Sequence, residues 1–403
     1  MKNGNITLES YREVAPEGAV DLVQKLAQRL EGRSILHVNS TRLGGGVAEI
    51  LHRFIPLFRE LGIQAEWEVI SGSPLFYKTT KSFHNALQGE RNHISQEMYD
   101  EYINVNKKNA KNMSFDYDVV VIHDPQPAGF IIKKRKKSHW LWRCHIDISR
   151  PDRKVWHFLR DYVCRYDGAI FSLASFAQKL PIPQYLIYPS IDPLSDKNRD
   201  LPEDEITAVL EKHSIPADKP IILQVSRFDR FKDPLGVIES YKRVKKYNDC
   251  CLILAGGGAT DDPEGEQVLR EVKDAASQDE DIFIIDLPPD SNIEINALQR
   301  AASIILQKST KEGFGLTVAE GMWKGKPVIG GAVGGITAQI IYGETGYTVS
   351  SAEGCAYRIR HLLNNPEESA QIGQKAKEFT RRNFLIIRHL CDYFALMAAL
   401  LGV

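Results

Sequence analysis

A chain of 403 residues, 43% hydrophobic and 26% charged, is long enough for two or three cored domains of ordinary globular composition. With 51 Lys and Arg against 52 Asp and Glu, its formal net charge of -1 argues against a polyanionic partner such as nucleic acid. Six cysteines without a C-x-x-C pair or zinc spacing, a start at Met1–Asn5 without a signal peptide's apolar core, and a longest apolar stretch (Ala395–Val403) too short to span a bilayer suit the cytoplasm.

Strand and helix patterns alternate from the beginning. Helical periodicity runs from Gly18 to Glu31, and Ser34–Asn39 reads as a strand. Gly44, Gly45 and Gly46 follow it, then a helix from Val47 to Leu61 that ends at Gly62. This β–glycine loop–α unit resembles the start of a Rossmann-type domain, but its spacing departs from G-x-G-x-x-G, so no dinucleotide site is indicated. Three adjacent glycines suit a backbone lying close to a ligand or another domain; a flexible connector is the competing reading. Ala65–Ile70 is the next strand. The polar stretch from Ser71 to Lys111, with Phe76, Tyr77, Phe83, His84, Tyr99 and Tyr102, is expected to form helices bordering a cleft. Val119–Ile122 is a buried strand ending in His123, Asp124, Pro125 and Gln126. The basic run Lys133–Lys137 reads as a solvated loop. Trp140–Cys144 is a strand ending in His145, Ile146 and Asp147. Polar groups at strand carboxyl ends lie where open α/β sheets bind ligands, although a histidine there can equally be a satisfied structural residue. Strands at Ala169–Phe171 and Tyr185–Tyr188 precede an exit through Pro189–Pro193.

After a charged linker with a short helix, Ser195–Lys219, a second α/β pattern opens with the strand Ile221–Val225. The following loop carries Arg227 and Lys232, a planar fork and a point charge that together suit a diphosphate; two solvated cations is the alternative. Cys251–Ala255 leads into Gly256, Gly257 and Gly258, and Ile282–Ile285 into Asp286–Pro289. The strand Ile304–Leu306 then introduces Lys311-Glu312-Gly313-Phe314-Gly315-Leu316-Thr317-Val318-Ala319-Glu320-Gly321, with a helix from Leu316 to Lys324. A strand at Pro327–Gly330 runs into Gly334 and Gly335 and a helix near Ile336. Both glycine loops are expected to offer backbone N–H groups to phosphate or sugar oxygens. Arg381–Val403 reads as one amphipathic closing helix. The alternation predicts parallel sheets with right-handed crossovers. The expected division is residues 1–194, joined by the returning helix 381–403, and residues 195–380.

Two Rossmann-like halves, Arg227-x4-Lys232 and Glu312-x7-Glu320 together resemble the retaining nucleotide-sugar glycosyltransferases of the GT-B fold. His37–Thr41 through Gly46, Val121–Gln126, Trp142–Asp147 and Leu306 through Glu320 are similar to the trehalose synthase branch. The resemblance implies an α/β protein whose two parallel-sheet domains face a cleft, acceptor on the first and donor on the second, with closure about a hinge near Asp192–Asp196. It implies transfer of glucose from a nucleoside diphosphate glucose to free glucose, giving α,α-trehalose in a reaction open to reversal. Arg227 and Lys232 would neutralise the leaving diphosphate. Glu312 and the N–H groups of Gly313, Phe314 and Gly315 would hold the donor sugar, those of Leu316 and Thr317 the phosphates, and Glu320 the ribose. His145 would touch the donor sugar near its 6-hydroxyl, and Gly45 and Gly46 would close over the junction. His123, Asp124, Gln126 and Asp147 are acceptor candidates by strand-end position. The nucleobase would lie near Ile285–Pro289. No tightly bound cofactor or metal is implied: the D-x-D-type acidic loop is missing, and Mg2+ is compatible but not required. The partners expected are small sugars and the nucleotide sugar, without nucleic acid or membrane; a homodimer is allowed. A trehalose phosphorylase, a transferase with another acceptor, and a binding module without turnover are the alternatives. A sugar phosphate acceptor would call on Arg42, Arg143 and Arg150.

Overall fold

The computed structural model describes residues 6–257, 263–288 and 290–403; of the features above, Met1–Asn5, Gly258 and Pro289 lie outside them. The chain divides into two compact units, one running to Ser190 and including Ile386–Val403, the other Ile191–Leu385.

The first unit is built on β1 (Ser34–Asn39), β2 (Gln64–Val69), β3 (Val119–His123), β4 (His139–Cys144), β5 (Gly168–Phe171) and β6 (Gln184–Leu186). They form one parallel sheet in the order β2-β1-β3-β4-β5-β6. β3 and most of β1 are buried, which is why they read as unbroken apolar runs rather than alternating ones. The stretch from Ser71 to Lys111 holds two helices, Pro74–Leu87 and Gln96–Asn112, capped by Ser73 and Ser95. Phe76, Phe83 and Tyr102 are wholly buried in the core, so these aromatics do not border a site. Phe76 and Phe83 stand two helical turns apart and face the same way, toward the sheet.

The second unit contains β7 (Ile221–Val225), β8 (Cys251–Gly256), β9 (Ile282–Asp286), β10 (Ile304–Gln307), β11 (Val328–Gly331) and β12 (Gly346–Val349). Its parallel order is β12-β11-β10-β7-β8-β9. Sequence patterning does not single out β12, which is four residues long and begins with glycine. Both sheets therefore start in their interior and reverse direction once: beside β1, between β1 and β3, and beside β7, between β7 and β10. At such a switch point two strand ends diverge and leave a crevice for a ligand.

The expected closing helix is two elements. Arg381–Asn383 finish the helix Pro366–Asn383, and a separate helix covers Ile386–Leu401. Between them the carbonyl of Phe384 accepts a hydrogen bond from the Ile191 N–H (2.9 Å), and Leu385 bridges to Ile191. Backbone pairing with the segment after Ser190 competes with helix continuation there and wins. The last helix packs in the first unit, with Tyr393 against Phe54 and Phe394 against Phe58.

Candidate active site

In the second unit the switch point brings the loop after β7 beside the loop after β10. Gln224, at the end of a buried strand, ties them: its amide nitrogen donates to the Lys232 carbonyl (2.9 Å) and its oxygen accepts from the Lys308 N–H (3.0 Å). Lys308 pairs with Asp233, and the Thr310 N–H donates to the Phe231 carbonyl (2.8 Å). On this frame Glu312 Oε2 accepts from Lys232 Nζ (2.5 Å), Ser309 Oγ (3.1 Å) and Gln307 Nε2 (3.4 Å). Glu312 is 11% and Lys232 17% exposed, so the pair is partly desolvated and stronger than a surface ion pair. Glu312 Oε1 makes no hydrogen bond to another described residue.

Gly315 precedes the helix Leu316–Trp323 with φ +82°, and no side chain caps that helix. The first-turn N–H groups of Leu316 and Thr317 are thus unopposed by a capping oxygen. The second glycine loop differs from expectation. The Gly335 N–H donates to the Glu312 carbonyl (3.1 Å), and the following helix, Ile336–Gln339, has four residues. A Cβ on Gly334 would lie 1.8 Å from that carbonyl oxygen, and one on Gly335 would lie 2.3 Å from Phe314 Cα. These glycines let one loop buttress the other; they do not present a second anion site. Gln339 adds a hydrogen bond to the Phe314 carbonyl (2.5 Å), while the Phe314 ring packs on Phe384.

Arg227 and Glu320 stand apart from the Lys232–Glu312 pair, with no hydrogen bond to it. Arg227 is 64% exposed and pairs with Asp229 at 3.2 Å. Glu320 is buried, accepting from Gln299 Nε2 (3.1 Å) and lying 3.6 Å from Lys197 Nζ.

In the first unit the switch point gathers imidazoles. His37 Nδ1 is 2.9 Å from His123 Nε2, and His123 Nδ1 is 2.9 Å from His145 Nε2. Their rings lie edge to edge and nearly coplanar, with centroids 5.2 Å apart at each step and planes inclined by 27° and 17°. Burial keeps all three neutral: it lowers His37 to about 3 and holds His123 and His145 well below 6.5. Neighbouring Arg143 pushes His123 and His145 the same way. That guanidinium is wholly buried, donating to the Ile187 carbonyl (2.7 Å). Asp124, at φ +64°, accepts from the His145 backbone N–H (2.8 Å). Burial raises its carboxyl to about 6, against the opposing pull of that hydrogen bond and of Arg143. His123, Asp124 and His145 are therefore brought together. Asp147 instead turns back to accept from the Ser149 N–H (2.9 Å), and Gln126 Oε1 is buried without a partner among the described residues; neither hydrogen-bonds to the imidazoles.

The glycine loop after β1 is exposed at Gly44 and Gly45, with φ +71° and +81°; Gly46 opens the helix Gly46–Glu60. A Cβ at Gly44 or Gly45 would meet nothing within 4 Å, so dihedral angle rather than crowding demands glycine there. The loop base is fixed by Arg42, stacked 4.8 Å over Trp67.

The sequence motifs do not mark His37, Gln307, Ser309, Lys197 and Gln299 as site residues. A signal for two of them exists: His37 interrupts the apolar run of β1 and Gln307 ends that of β10, both buried, and a buried polar group needs a partner. Lys197 and Gln299 carry no such local mark.

Among the described residues, no helix is long and apolar enough to cross a membrane. Residues 37–178 match the model of the trehalose synthase N-terminal domain, and residues 205–379 that of the group 1 glycosyl transferases. A trehalose synthase of Pyrococcus horikoshii is 48% identical over 414 aligned residues, covering 100% of this chain and 98% of that protein. A trehalose phosphorylase of Pleurotus pulmonarius is 30% identical over 93% of this chain but 58% of its own length. Among solved structures, an alpha,alpha-trehalose-phosphate synthase (UDP-forming) from Burkholderia xenovorans superposes with a TM-score of 0.72 at 14% identity, over 91% of this chain and 100% of that one, which carries the fold alone. Family models on both units and full-length identity to a trehalose synthase agree: the chain belongs to the trehalose synthase family of GT-B glycosyltransferases.

Proposed function

We propose that the protein transfers glucose from a nucleoside diphosphate glucose to free glucose with retention, forming α,α-trehalose in a reversible reaction. The observation that carries this is the Lys232–Glu312 pair at the β7/β10 switch point, within a family that includes trehalose synthases. Glu312 Oε1 accepts from donor hydroxyls, and the uncapped N–H groups of Gly313–Thr317 approach the donor's sugar and phosphates. Arg227 and Lys232 balance negative charge growing on the leaving diphosphate, while the anomeric carbon becomes positive. Glu320, with Lys197, takes the ribose hydroxyls. On the first unit His145 meets the donor sugar, Gly45 and Gly46 close over the donor–acceptor junction, and Asp124, Gln126 and Asp147 lie on the acceptor side; His123, whose ring nitrogens are taken up by His37 and His145, stands behind them. The acceptor attacks from the face the diphosphate leaves, and a leaving phosphate oxygen takes its proton. The site requires no resident metal, though Mg2+ is compatible with it, and turnover is expected to survive EDTA.

A free sugar is favoured over a sugar phosphate as acceptor. Arg143 is wholly buried and Arg42 is held on Trp67, so two of the three cations a phosphate would call on are engaged elsewhere.

The test is incubation with a panel of nucleoside diphosphate glucoses and free sugars, with NMR of the product. The expected product is α,α-trehalose; a β-configured anomeric proton overturns retention. Phosphorolysis of trehalose without any nucleoside diphosphate makes the protein a phosphorylase instead, and absence of both activities leaves a binding module.

A further inference from the structure

The three imidazoles, one within β1, one at the end of β3 and one just past β4, form a chain of hydrogen bonds with one free end. Each ring is neutral and so carries one proton. His123 uses both ring nitrogens, Nε2 toward His37 and Nδ1 toward His145. Its single proton therefore points one way or the other, and the whole chain follows. If it points to His37, then His37 Nδ1 accepts and the His37 proton sits on Nε2. That nitrogen is buried and has no hydrogen-bond partner among the described residues, so the arrangement leaves an N–H without a protein acceptor. If it points to His145, then His37 Nδ1 donates and only a bare lone pair is left at His37 Nε2. A buried N–H without a partner is the rarer and costlier of the two. His145 Nε2 then accepts, which places the His145 proton on Nδ1. Nδ1 is the one ring nitrogen of the three that faces neither the chain nor a buried dead end, and it hydrogen-bonds to no other described residue.

We propose that His37 and His123 are positioning residues that lock His145 in its Nδ1–H tautomer, making it a fixed hydrogen-bond donor to a sugar hydroxyl oxygen. This deepens, and rests on, the reading that His145 faces the donor sugar. A ring free to change tautomer would meet that hydroxyl as an acceptor whenever its proton sat on Nε2; the locked ring always donates. The rings lie nearly coplanar and edge to edge at both steps, so the same hydrogen bonds that fix the proton of His145 also fix the plane of its ring.

The test is NMR of the ring nitrogens in the full-length protein labelled with 15N-histidine, at neutral pH, with His145 assigned by the loss of its signals in His145→Gln. The expected result is a proton on Nδ1 of both His123 and His145. In His123→Leu the His145 ring should sample both tautomers, and turnover at saturating donor should fall roughly tenfold, the worth of one hydrogen bond. His123→Asn, whose amide nitrogen falls near the position of Nδ1, should restore the tautomer and most of the turnover, which a merely structural loss would not predict. A proton on His145 Nε2 in the wild-type protein, or an unchanged His145 tautomer in His123→Leu, overturns the proposal. The wild-type spectrum alone decides if His123→Leu fails to fold. It needs no substrate, so its failure is distinct from failure of the functional reading, which would appear as no trehalose formed by the wild-type protein.

Discussion

Glu312 has two roles in one side chain: Oε2 is fixed by Lys232, Ser309 and Gln307, and Oε1 is left for a ligand. Glu312→Gln keeps the shape and loses the charge. Turnover is expected to fall roughly 10–100-fold, since hydrogen bonds to charged groups are worth about 1.5–3 kcal/mol. Stability should fall by about 1–2 kcal/mol because Lys232 loses its partner. Steady-state kinetics and thermal melting of this variant read both, and normal turnover refutes the assignment. Arg227 behaves differently. Its guanidinium is largely exposed, so Arg227→Ala should change stability by no more than about 0.5 kcal/mol. Assigned to charge that grows in the transition state, it should nevertheless cost roughly 100–1000-fold in turnover. Full activity in Arg227→Ala would move the diphosphate site elsewhere.

Among elements, the two glycine loops of the second unit work as one body. Gly334 and Gly335 press on the backbone of Glu312 and Phe314, and no side chain fits between them. Gly334→Ala is therefore expected to destabilise by about 2–3 kcal/mol, as overpacking does, and to reduce turnover by displacing Glu312. Gly44→Ala is the comparison. Its Cβ meets nothing, so the cost is the left-handed backbone alone, about 1–2 kcal/mol. Chemical denaturation of both variants ranks them, and a larger loss at Gly44 would contradict the buttress. The helix break at Phe384–Leu385 is an element-scale feature of the same kind, set by pairing with Ile191.

For the whole molecule, pH is the revealing variable. His37, His123, His145 and His389 are all held below 6.5 by burial, so the unfolded chain binds more protons than the native one below that pH. Their stabilisation is complete above about pH 6.5 and is lost as pH falls toward the folded values, about 3 for His37. Asp124 opposes them. Raised from 3.8 to about 6, it adds stability as pH falls through that interval. Four histidines outweigh one carboxyl, so the melting temperature should be level above pH 6.5 and decline between 6.5 and 5. Asp124→Asn keeps the acceptor for the His145 N–H and tolerates φ +64°. It should add up to about 3 kcal/mol at pH 7, the worth of the shift from 3.8 to about 6, and steepen the acid decline. A melting temperature that stays level from pH 7 to 5 would show that these rings are not kept neutral.

The sequence by itself determined the strands of both sheets other than β12, their parallel sense, and the loops on which Lys232, Glu312, His123 and His145 stand. Those follow from local facts: apolar runs of strand length, glycines where the chain must turn, and alternation with helices. The resemblance carried in Arg227-x4-Lys232 and Glu312-x7-Glu320 reached the family as well. What only the tertiary structure decided are relations between distant residues. Lys232 grips Glu312 across 80 positions, and His37 reaches His123 across 86. Phe76, Phe83 and Tyr102 of the stretch from Ser71 to Lys111 face the core, Glu320 is buried beside Gln299 and Lys197, and the last helix breaks where Ile191 meets Phe384. Local patterns say which face of an element is apolar, but not what another element brings against it. Contacts of that kind exist only once the strand order places two loops side by side.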